Sequence, residues 1–245
     1  MARQGARVVV ADLDGERAAA HADSLVAKGL DALCVALDVA SEASVSDAFT
    51  TALDRFGGID VLVNNAAPSP VIRQDAPVGR LDLGVWEAIQ AVVVGGAIRC
   101  TQAALPSMVE RGGGSIVNVA SIHAHAADAD MTAYPVAKAA LLGLTRAIAT
   151  QYGRDGVRCN TVTLGTIPYP AMSEEARQNK VRHQLLGRVG EPDDVANLVA
   201  FLASPASGFT TGTDVRADGG VLAHLPSYAD GGTFRLVRDQ DLQRG

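Results

Sequence analysis

Short apolar runs alternate with longer segments of helical periodicity along most of the chain. The apolar runs predict buried strands at 7–11, 32–37, 59–63, 115–119, 157–162 and 213–217. Helical spacing predicts helices over 16–28, 41–56, 134–152 and 193–203. Strands that alternate with helices form βαβ units, whose parallel strands are covered by helices on both faces. The pattern therefore predicts an α/β fold.

Three stretches follow neither period: 66–82, 164–190 and the residues after Gly220. Long irregular loops in a compact α/β domain usually carry function, so binding residues are expected in the first two. We predict one main domain over 1–220 and a C-terminal tail over 221–245. The tail either caps a neighbouring subunit's pocket or is an unstructured end, and the second interpretation is the usual one for termini.

Composition narrows the classes of function. The 245 residues are 48% hydrophobic, which excludes a disordered chain. Twenty-one basic residues against 27 acidic ones give a net charge of −6, which disfavours nucleic acid as a partner. The apolar run 91–98 stops at Arg99, short of a membrane span, and the N-terminus does not resemble a signal peptide. Three cysteines without metal-ligand spacing fit free thiols in a cytoplasmic protein.

The strongest candidate chemistry is carried by Ser121, Tyr134 and Lys138. Ser121 follows a predicted strand, and ligands bind at the carboxyl ends of strands in open α/β sheets. Tyr134 and Lys138 are four residues apart on one predicted helix, so their side chains share a face. A neighbouring ammonium group favours the phenolate and should lower the tyrosine pKa from about 10. Ser121 could then hold a substrate oxygen while Tyr134 moves a proton.

Several motifs occur in order over about residues 5–220. They are Asp12 at a strand end, Asp38-Val39, Asn64-Asn65-Ala66-Ala67, Gly114-Ser115-Ile116-Val117-Asn118, Ser121, Tyr134-Pro-Val-Ala-Lys138, Arg158-Cys-Asn160 and Asp218-Gly219-Gly220. On these motifs the chain resembles the classical short-chain dehydrogenase/reductase family. The resemblance implies a single-domain, Rossmann-like, three-layer α/β/α fold with a doubly wound parallel sheet. It also implies hydride transfer between a nicotinamide cofactor and an alcohol or ketone, and a homodimer or homotetramer.

The same resemblance assigns catalytic roles. Ser121 positions the substrate oxygen, Tyr134 is the proton donor or acceptor, and Lys138 lowers the phenol pKa and holds the nicotinamide ribose. Asn65 and Ala66 match residues that lie against the cofactor's adenosine ribose and nicotinamide side, although Asn also pairs readily with turn backbone.

Further positions match the family's contacts at the two ends of the cofactor. Asp12 matches the acid that binds the adenosine ribose, and a carboxylate there favours NAD over NADP by repelling a 2′-phosphate. Asp38 and Val39 match the pair that touches the adenine, or simply form a turn. Gly165 permits close backbone approach, and Ile167 matches a position that meets the nicotinamide carboxamide. The stretch 168–186 resembles a substrate lid.

His123 and His125 follow Ser121 and precede two aspartates, so a metal site is conceivable. The family uses this loop to shape the substrate pocket, and we predict a polar pocket wall, with His125 in a solvated loop and no metal.

The chain departs from the family in three places. The opening strand and glycine-rich turn that hold the pyrophosphate are absent before Asp12, which predicts a gap in the sheet between strands 7–11 and 59–63. A start codon assigned too late is the expected explanation. Val93 stands where the family has a catalytic Asn, and Leu164-Gly165 replaces Pro-Gly.

Two functions from different classes remain. The leading hypothesis is an NAD(P)-dependent oxidoreductase acting on a small alcohol, a sugar, a polyketide-like ketone or an acyl thioester. The alternative is a catalytically impaired relative that serves as a non-enzymatic binding protein or oligomeric scaffold. The missing turn and Val93 favour the alternative, whereas Ser121, Tyr134 and Lys138 oppose it.

Overall fold

The computed structural model describes residues 1–169 and 172–229. Its strands are β1 Val8–Asp12, β2 Ala32–Ala36, β3 Val61–Asn64, β4 Gly114–Ser121, β5 Val157–Leu164 and β6 Asp214–Ala217. Its helices are α1 Gly15–Val26, α2 Glu42–Phe56, α3 Ser69–Ile72, α4 Leu83–Gln90, α5 Gly96–Glu110, α6 Ala133–Tyr152, α7 Glu174–Val181 and α8 Pro192–Ala203. All the predicted strands and helices are confirmed to within a few residues. The helices α3 and α7 lie where the pattern predicted only loops, and α4 and α5 lie in a region to which the pattern assigned no helix.

All strand pairs are parallel, and they form two sheets rather than one. β1 pairs with β2, whereas β3, β4, β5 and β6 pair in that order. In the part of the chain that the structure describes, no strand joins β1 to β3, so the predicted gap is present. The two parts are linked instead by helix α2, which packs on α5, and by Arg99, whose Nη1 donates to the Val39 carbonyl at 3.2 Å.

Helices cover both faces of the four-stranded sheet. On one face, α5 and α6 pack against β4 and β5 through a cluster that includes Met108, Ile116 and Ile148. On the other face, α8 contributes Val199 and Leu202 to a second cluster. The central strands β4 and β5 are almost entirely buried, as expected for parallel strands with helices on each side. The predicted three-layer arrangement is therefore confirmed.

A buried row of polar side chains fixes the helix that carries the candidate site. Asn64 donates to the Asn118 side-chain oxygen at 2.9 Å, and Asn118 donates to Thr145 on α6 at 2.8 Å. Thr145 in turn bonds Thr161 on β5 at 2.7 Å. Because unpaired polar groups are costly in the interior, this network favours one register of α6 on the sheet.

Helices α4 and α5 join through a π-helical turn, Ala91–Gly95, into one run over Leu83–Glu110. The run is longer than the apolar stretch 91–98 suggested. By length and composition it could cross a membrane, a test that the core helix of a soluble protein also passes. The helical run buries one side in the core, where Ile89 and Val93 belong to one hydrophobic cluster and Met108 belongs to another.

Two sequence predictions fall partly outside the described residues. The lid stretch 168–186 includes Pro170 and Ala171, and most of the tail, 230–245, also lies outside them. The first tail residues continue the fold: Val221–Ala223 and Pro226–Tyr228 form short 3-10 turns. His224 between them bonds the His183 carbonyl at 2.9 Å.

Candidate active site

The candidate residues lie at the carboxyl edge of the strands. Asp12 ends β1, Asn65 follows β3, Ser121 ends β4 and Gly165 follows β5. Since the strands within each sheet are parallel, each sheet presents these residues at its carboxyl edge, where open α/β sheets bind ligands.

The structure brings Ser121, Tyr134 and Lys138 together. The Lys138 Nζ atom lies 5.7 Å from the centroid of the Tyr134 ring. The same ammonium group donates to the Val119 carbonyl at 2.6 Å, which ties it to β4 just before Ser121. The Ser121 hydroxyl lies near enough to the Tyr134 phenol to act on its pKa. The three side chains therefore form one cluster above the end of β4.

The electrostatics of this cluster correct one sequence expectation. Burial raises the pKa of Tyr134, and the neighbouring Ser121 hydroxyl opposes this only in part. The Tyr134 pKa is therefore raised, whereas the spacing with Lys138 led us to expect a lowered value. Burial also lowers the pKa of the Lys138 ammonium to about 8. The same burial that brings the two groups together disfavours the charged form of each.

A carboxylate that the sequence analysis missed holds the start of α6. Asp75 Oδ1 accepts the backbone N–H groups of Thr132 at 3.1 Å and Ala133 at 3.0 Å, and Oδ2 accepts that of Tyr134 at 2.9 Å. Asp75 lies 57 to 59 residues before these donors, so no local capping motif signals it. Since the first N–H groups of a helix lack partners within the helix, Asp75 fixes the backbone from which Tyr134 projects.

The two histidines point to different partners and do not share a site. His123 Nδ1 lies 3.0 Å from Ser121 Oγ, and its ring packs edge-on against Tyr134 with centroids 5.7 Å apart. His125 Nε2 lies 2.9 Å from Asp214 Oδ2 on β6. The loop around His125 is exposed, as expected. The His125 side chain, however, is held by Asp214 and is only partly exposed to solvent.

The adenosine-side candidates lie around the two-stranded sheet. Asp12 is exposed, and its Oδ1 accepts the N–H of Asp14 at 3.0 Å. Asp14, not Asp12, caps α1. Asp38 Oδ1 accepts the N–H of Ala40 at 2.8 Å, so its turn role is present. The Val39 carbonyl accepts from Arg99, as described above.

The nicotinamide-side candidates differ in their surroundings. Asn65 and Ala66 are exposed after β3. Gly165 is closely packed, because a Cβ there would lie 2.7 Å from the Asp218 Cα. Glycine is therefore needed at position 165 because the backbone of Asp218 packs against it. The sequence analysis had explained this glycine only by close approach of the backbone to a cofactor. Ile167 packs on Gly190.

These residues fit a nicotinamide cofactor in part. The exposed carboxylate of Asp12 can accept two ribose hydroxyls, and the Ser121 cluster can face a nicotinamide ribose. The helix N-terminus nearest Asp12 carries Asp14 and Glu16, whose charges disfavour a phosphate. Within 1–169 and 172–229, Asp12 and the Ser121 cluster therefore offer polar groups that fit the two riboses, but there is no glycine-rich turn to hold the pyrophosphate.

Val93 lies inside the π-helical turn, and its side chain is buried against Ala133, Ala137 and Leu141. An apolar side chain in this cluster contributes no hydrogen bond. The turn itself is held by Arg99 Nη1, which lies 3.3 Å from the Ala91 carbonyl. π-helical turns within α-helices are frequent at functional sites.

Known proteins resemble this chain over most of its length. A family model described as enoyl-(acyl carrier protein) reductase matches residues 1–222. A probable short-chain type dehydrogenase/reductase of Bradyrhizobium diazoefficiens is 44% identical over 242 residues, covering 97% of this chain and 86% of that protein. The 7alpha-hydroxysteroid dehydrogenase of Bacteroides fragilis is 36% identical over 228 residues, covering 91% and 88%.

Solved structures with a similar fold are also dehydrogenases. The crystal structure of a gluconate 5-dehydrogenase from Burkholderia cenocepacia, in complex with NADP and tartrate, superposes with a TM-score of 0.84 at 29% identity, covering 91% of this chain and 88% of that one. Family model, sequence relatives and structure agree: this chain belongs to the short-chain dehydrogenase/reductase family of oxidoreductases.

Proposed function

We propose that the protein interconverts a secondary alcohol and a ketone with a nicotinamide cofactor. The observation that carries this proposal is the convergence of Ser121, Tyr134 and Lys138 at the carboxyl end of β4. Relatives named for a 7alpha-hydroxysteroid and for position 5 of gluconate act at secondary hydroxyl groups, which supports this class of substrate.

Each residue of the cluster has a separate task. The Ser121 hydroxyl holds the substrate oxygen, and Tyr134 gives a proton to it or takes one from it. Lys138, with a pKa near 8, is mostly charged at pH 7 and stabilises negative charge developing on the phenol. The cofactor, when bound, supplies or accepts the hydride.

We infer a preference for NAD from Asp12. Its exposed carboxylate at the end of β1 would accept ribose hydroxyls and repel a 2′-phosphate. The gluconate 5-dehydrogenase structure holds NADP, so the choice of cofactor needs its own test. Asp12→Ser should shift the ratio of affinities for NADPH and NADH toward NADPH, with the affinity for NADH reduced.

The first experiment titrates the 245-residue chain with NADH and with NADPH by calorimetry. Turnover is then measured with NAD⁺ and three probe alcohols: gluconate, a 7alpha-hydroxysteroid and cyclohexanol. Tyr134→Phe should abolish turnover while the affinity for NADH stays within a few-fold. Turnover that survives in Tyr134→Phe, or a folded chain that binds neither cofactor, would contradict the proposal.

We also propose that the protein is a homodimer or homotetramer, since α5 and α6 carry a mostly apolar groove. It is lined by Leu105, Pro106, Val109 and Tyr152, with Gln102 and Glu110 beside them. Light scattering after gel filtration measures the assembly, and a monomer at micromolar concentration would refute it.

A further inference from the structure

We propose that the charged form of His224 fastens the segment 183–186 beside Gly165, which makes His224 a positioning residue for the substrate. The effect on catalysis rests on the proposed alcohol–ketone chemistry, whereas the fastening itself is measurable without a substrate. The sequence pattern assigns no role to this histidine, which lies in the tail after Gly220. The inference therefore depends on the contacts of this chain alone.

The segment 183–186 lies against the part of the candidate site that follows β5. Two of its residues share one cavity with the residues directly after this strand: Gln184 and Leu186 with Gly165 and Thr166. Gln184 is 4% exposed, and the Leu186 N–H donates to the Gly219 carbonyl at 3.3 Å. The stretch 168–186, which resembles a substrate lid, therefore ends beside a residue expected to contact the cofactor.

His224 contacts two backbone carbonyls through the two nitrogens of its ring. Its Nε2 atom lies 2.9 Å from the His183 carbonyl oxygen, and its Nδ1 atom lies 2.9 Å from the Leu225 carbonyl oxygen. A carbonyl oxygen only accepts hydrogen bonds, and a neutral imidazole carries a single N–H. Both contacts are therefore hydrogen bonds only when the ring is an imidazolium. In the neutral ring, one nitrogen lone pair would face a carbonyl oxygen.

The turn that carries His224 is fixed to the end of the four-stranded sheet. The carboxylate of Asp218, directly after β6, accepts the N–H groups of Gly220 at 2.9 Å and Leu222 at 3.0 Å. The Ala223 N–H donates to the Gly220 carbonyl at 3.0 Å. Because His224 follows this hydrogen-bonded turn, its bond to the His183 carbonyl ties the segment 183–186 to β6.

The groups around the ring favour its charged form. Among the described residues, the titratable side chains facing it are Asp218, from the turn after β6, and Tyr228, whose ring centroid lies 4.6 Å from that of His224. The segment 183–186 presents the His183 carbonyl. The carbonyls of Leu225 and His183 raise the pKa of His224 above its ordinary value of about 6.5, burial opposes this only in part, and the charge of Asp218 adds to the rise.

The raised pKa fixes the direction of the pH dependence. The fastened segment binds the His224 proton more tightly than the released segment does, so fastening is complete below about pH 6.5 and is lost as the pH rises through the raised value. The two quantities are linked, because a shift of one pKa unit corresponds to about a tenfold change in the equilibrium between the fastened and released segment. The shift in the pKa therefore sets how far the protection of the segment falls at high pH.

NMR and hydrogen exchange test the fastening without a substrate. In a chain with ¹⁵N-labelled histidine, the ring signal that is lost in His224→Gln should show two protonated nitrogens near pH 6. It should titrate at a higher pH than His21, an exposed histidine on α1 whose signal His21→Gln identifies. The protection of the Leu186 amide, corrected for the intrinsic exchange rate, should fall between about pH 6 and pH 9 by the factor that this pKa shift sets. The fall should be absent in His224→Gln and unchanged in His21→Gln, the matched control.

Kinetics on a probe alcohol that the wild type oxidises test the positioning role. The KM of His224→Gln should exceed the wild-type KM several-fold near pH 6.5 and equal it near pH 9, where the wild type also releases the segment, while kcat stays within a few-fold.

A His224 signal that titrates at or below the pH of the His21 signal would overturn the fastening and leave the proposed function standing. Protection of Leu186 that falls equally in His224→Gln would do the same. A ratio of the two KM values that does not change with pH would overturn the positioning role. A wild type that oxidises none of the probes would contradict the proposed function and the positioning role with it, whereas NMR and exchange would still decide the fastening.

Discussion

Replacing Asp75 by alanine should loosen the N-terminus of α6, the helix that carries Tyr134 and Lys138. The carboxylate accepts N–H groups of three consecutive residues at this end, including that of Tyr134 itself at 2.9 Å. It also accepts the N–H of Ala76 at 2.8 Å, which holds its own loop in place. The variant therefore removes a helix cap and a link between two segments of the site.

The magnitude follows from the number of donors. Loss of an ordinary N-cap costs about 0.5–2 kcal/mol. Because three helix N–H groups lose their acceptor together, we expect Asp75→Ala to lower the free energy of unfolding by about 2 kcal/mol. Asp75→Asn keeps an acceptor oxygen for Thr132 and Ala133 but not for Tyr134, so it should lose about 1 kcal/mol. Both variants should lower kcat, since the backbone under Tyr134 shifts.

The contribution of Asp75 to the free energy of unfolding should also decrease at low pH. Burial acts to raise the pKa of this carboxyl, but the N–H groups of Tyr134 and its neighbours outweigh burial, and the pKa is lowered. A lowered pKa means that the stabilisation is complete above the ordinary value of about 3.9 and is lost as the pH falls through the folded value. The difference between wild type and Asp75→Ala should therefore shrink below about pH 4.

Urea unfolding followed by circular dichroism at pH 7 and at pH 3.5 measures both effects. Asp82→Ala is the matched control, because Asp82 caps α4 through a single bond to Gly84 N at 2.7 Å. It should cost less than 1 kcal/mol, near the lower end for a cap of about 0.5 kcal/mol. If the free energy of unfolding of Asp75→Ala lies within about 0.5 kcal/mol of the wild-type value at pH 7, Asp75 does not stabilise the N-terminus of α6.

Two further predictions concern packing and thiols. A Cβ on Gly96 would lie 2.6 Å from Val39 Cγ2 and 2.8 Å from Val39 Cβ, so Gly96→Ala should cost about 1–3 kcal/mol in urea unfolding. Adding Val39→Gly, which removes both atoms, should restore more of this loss than adding Val39→Ala, which keeps the Cβ. Burial raises the pKa of Cys100 to about 11 and of Cys159 to about 12, whereas Cys34 is exposed. Ellman's reagent at pH 8 should therefore titrate one thiol quickly in the native chain and three in urea; fast reaction of a second native thiol would contradict this assignment.

The strands and main helices could be predicted because each buries an apolar face whose period shows in the sequence. The short helix α7, Glu174–Val181, could not be predicted in this way, since its residues are almost all polar and none is buried. Its local signals are the Ser173 cap, which accepts the N–H of Ala176, the acidic Glu174 and Glu175 in the first turn, and Lys180 in the last turn. The gap between β1 and β3 could be predicted because the number of apolar runs before Asp12 limits the number of strands.

The site was predictable where its geometry is local. Tyr134 and Lys138 are one helical turn apart, so spacing alone puts them on one face. Asp75 and the pairing of His125 with Asp214 depend on contacts between distant parts of the chain, which no spacing shows. The direction of the Tyr134 pKa also depends on burial, and the sequence counted only the nearby charge.

The division of the sheet separates the two halves of the proposed site. Ser121, Tyr134 and Lys138 are all fixed by β4 and α6, on the four-stranded sheet, and need nothing from β1 or β2. Asp12, the residue proposed to bind the adenosine ribose, lies on the two-stranded sheet, which is tied to the rest through the α2–α5 contact and Arg99. A cofactor that used both ends would therefore connect the two sheets, and its binding free energy would add to the stability of the two-stranded part in particular. Hydrogen exchange should then slow most in β1 and β2 when NADH binds, whereas ligands held by the Ser121 cluster alone should protect β4 and the first turn of α6.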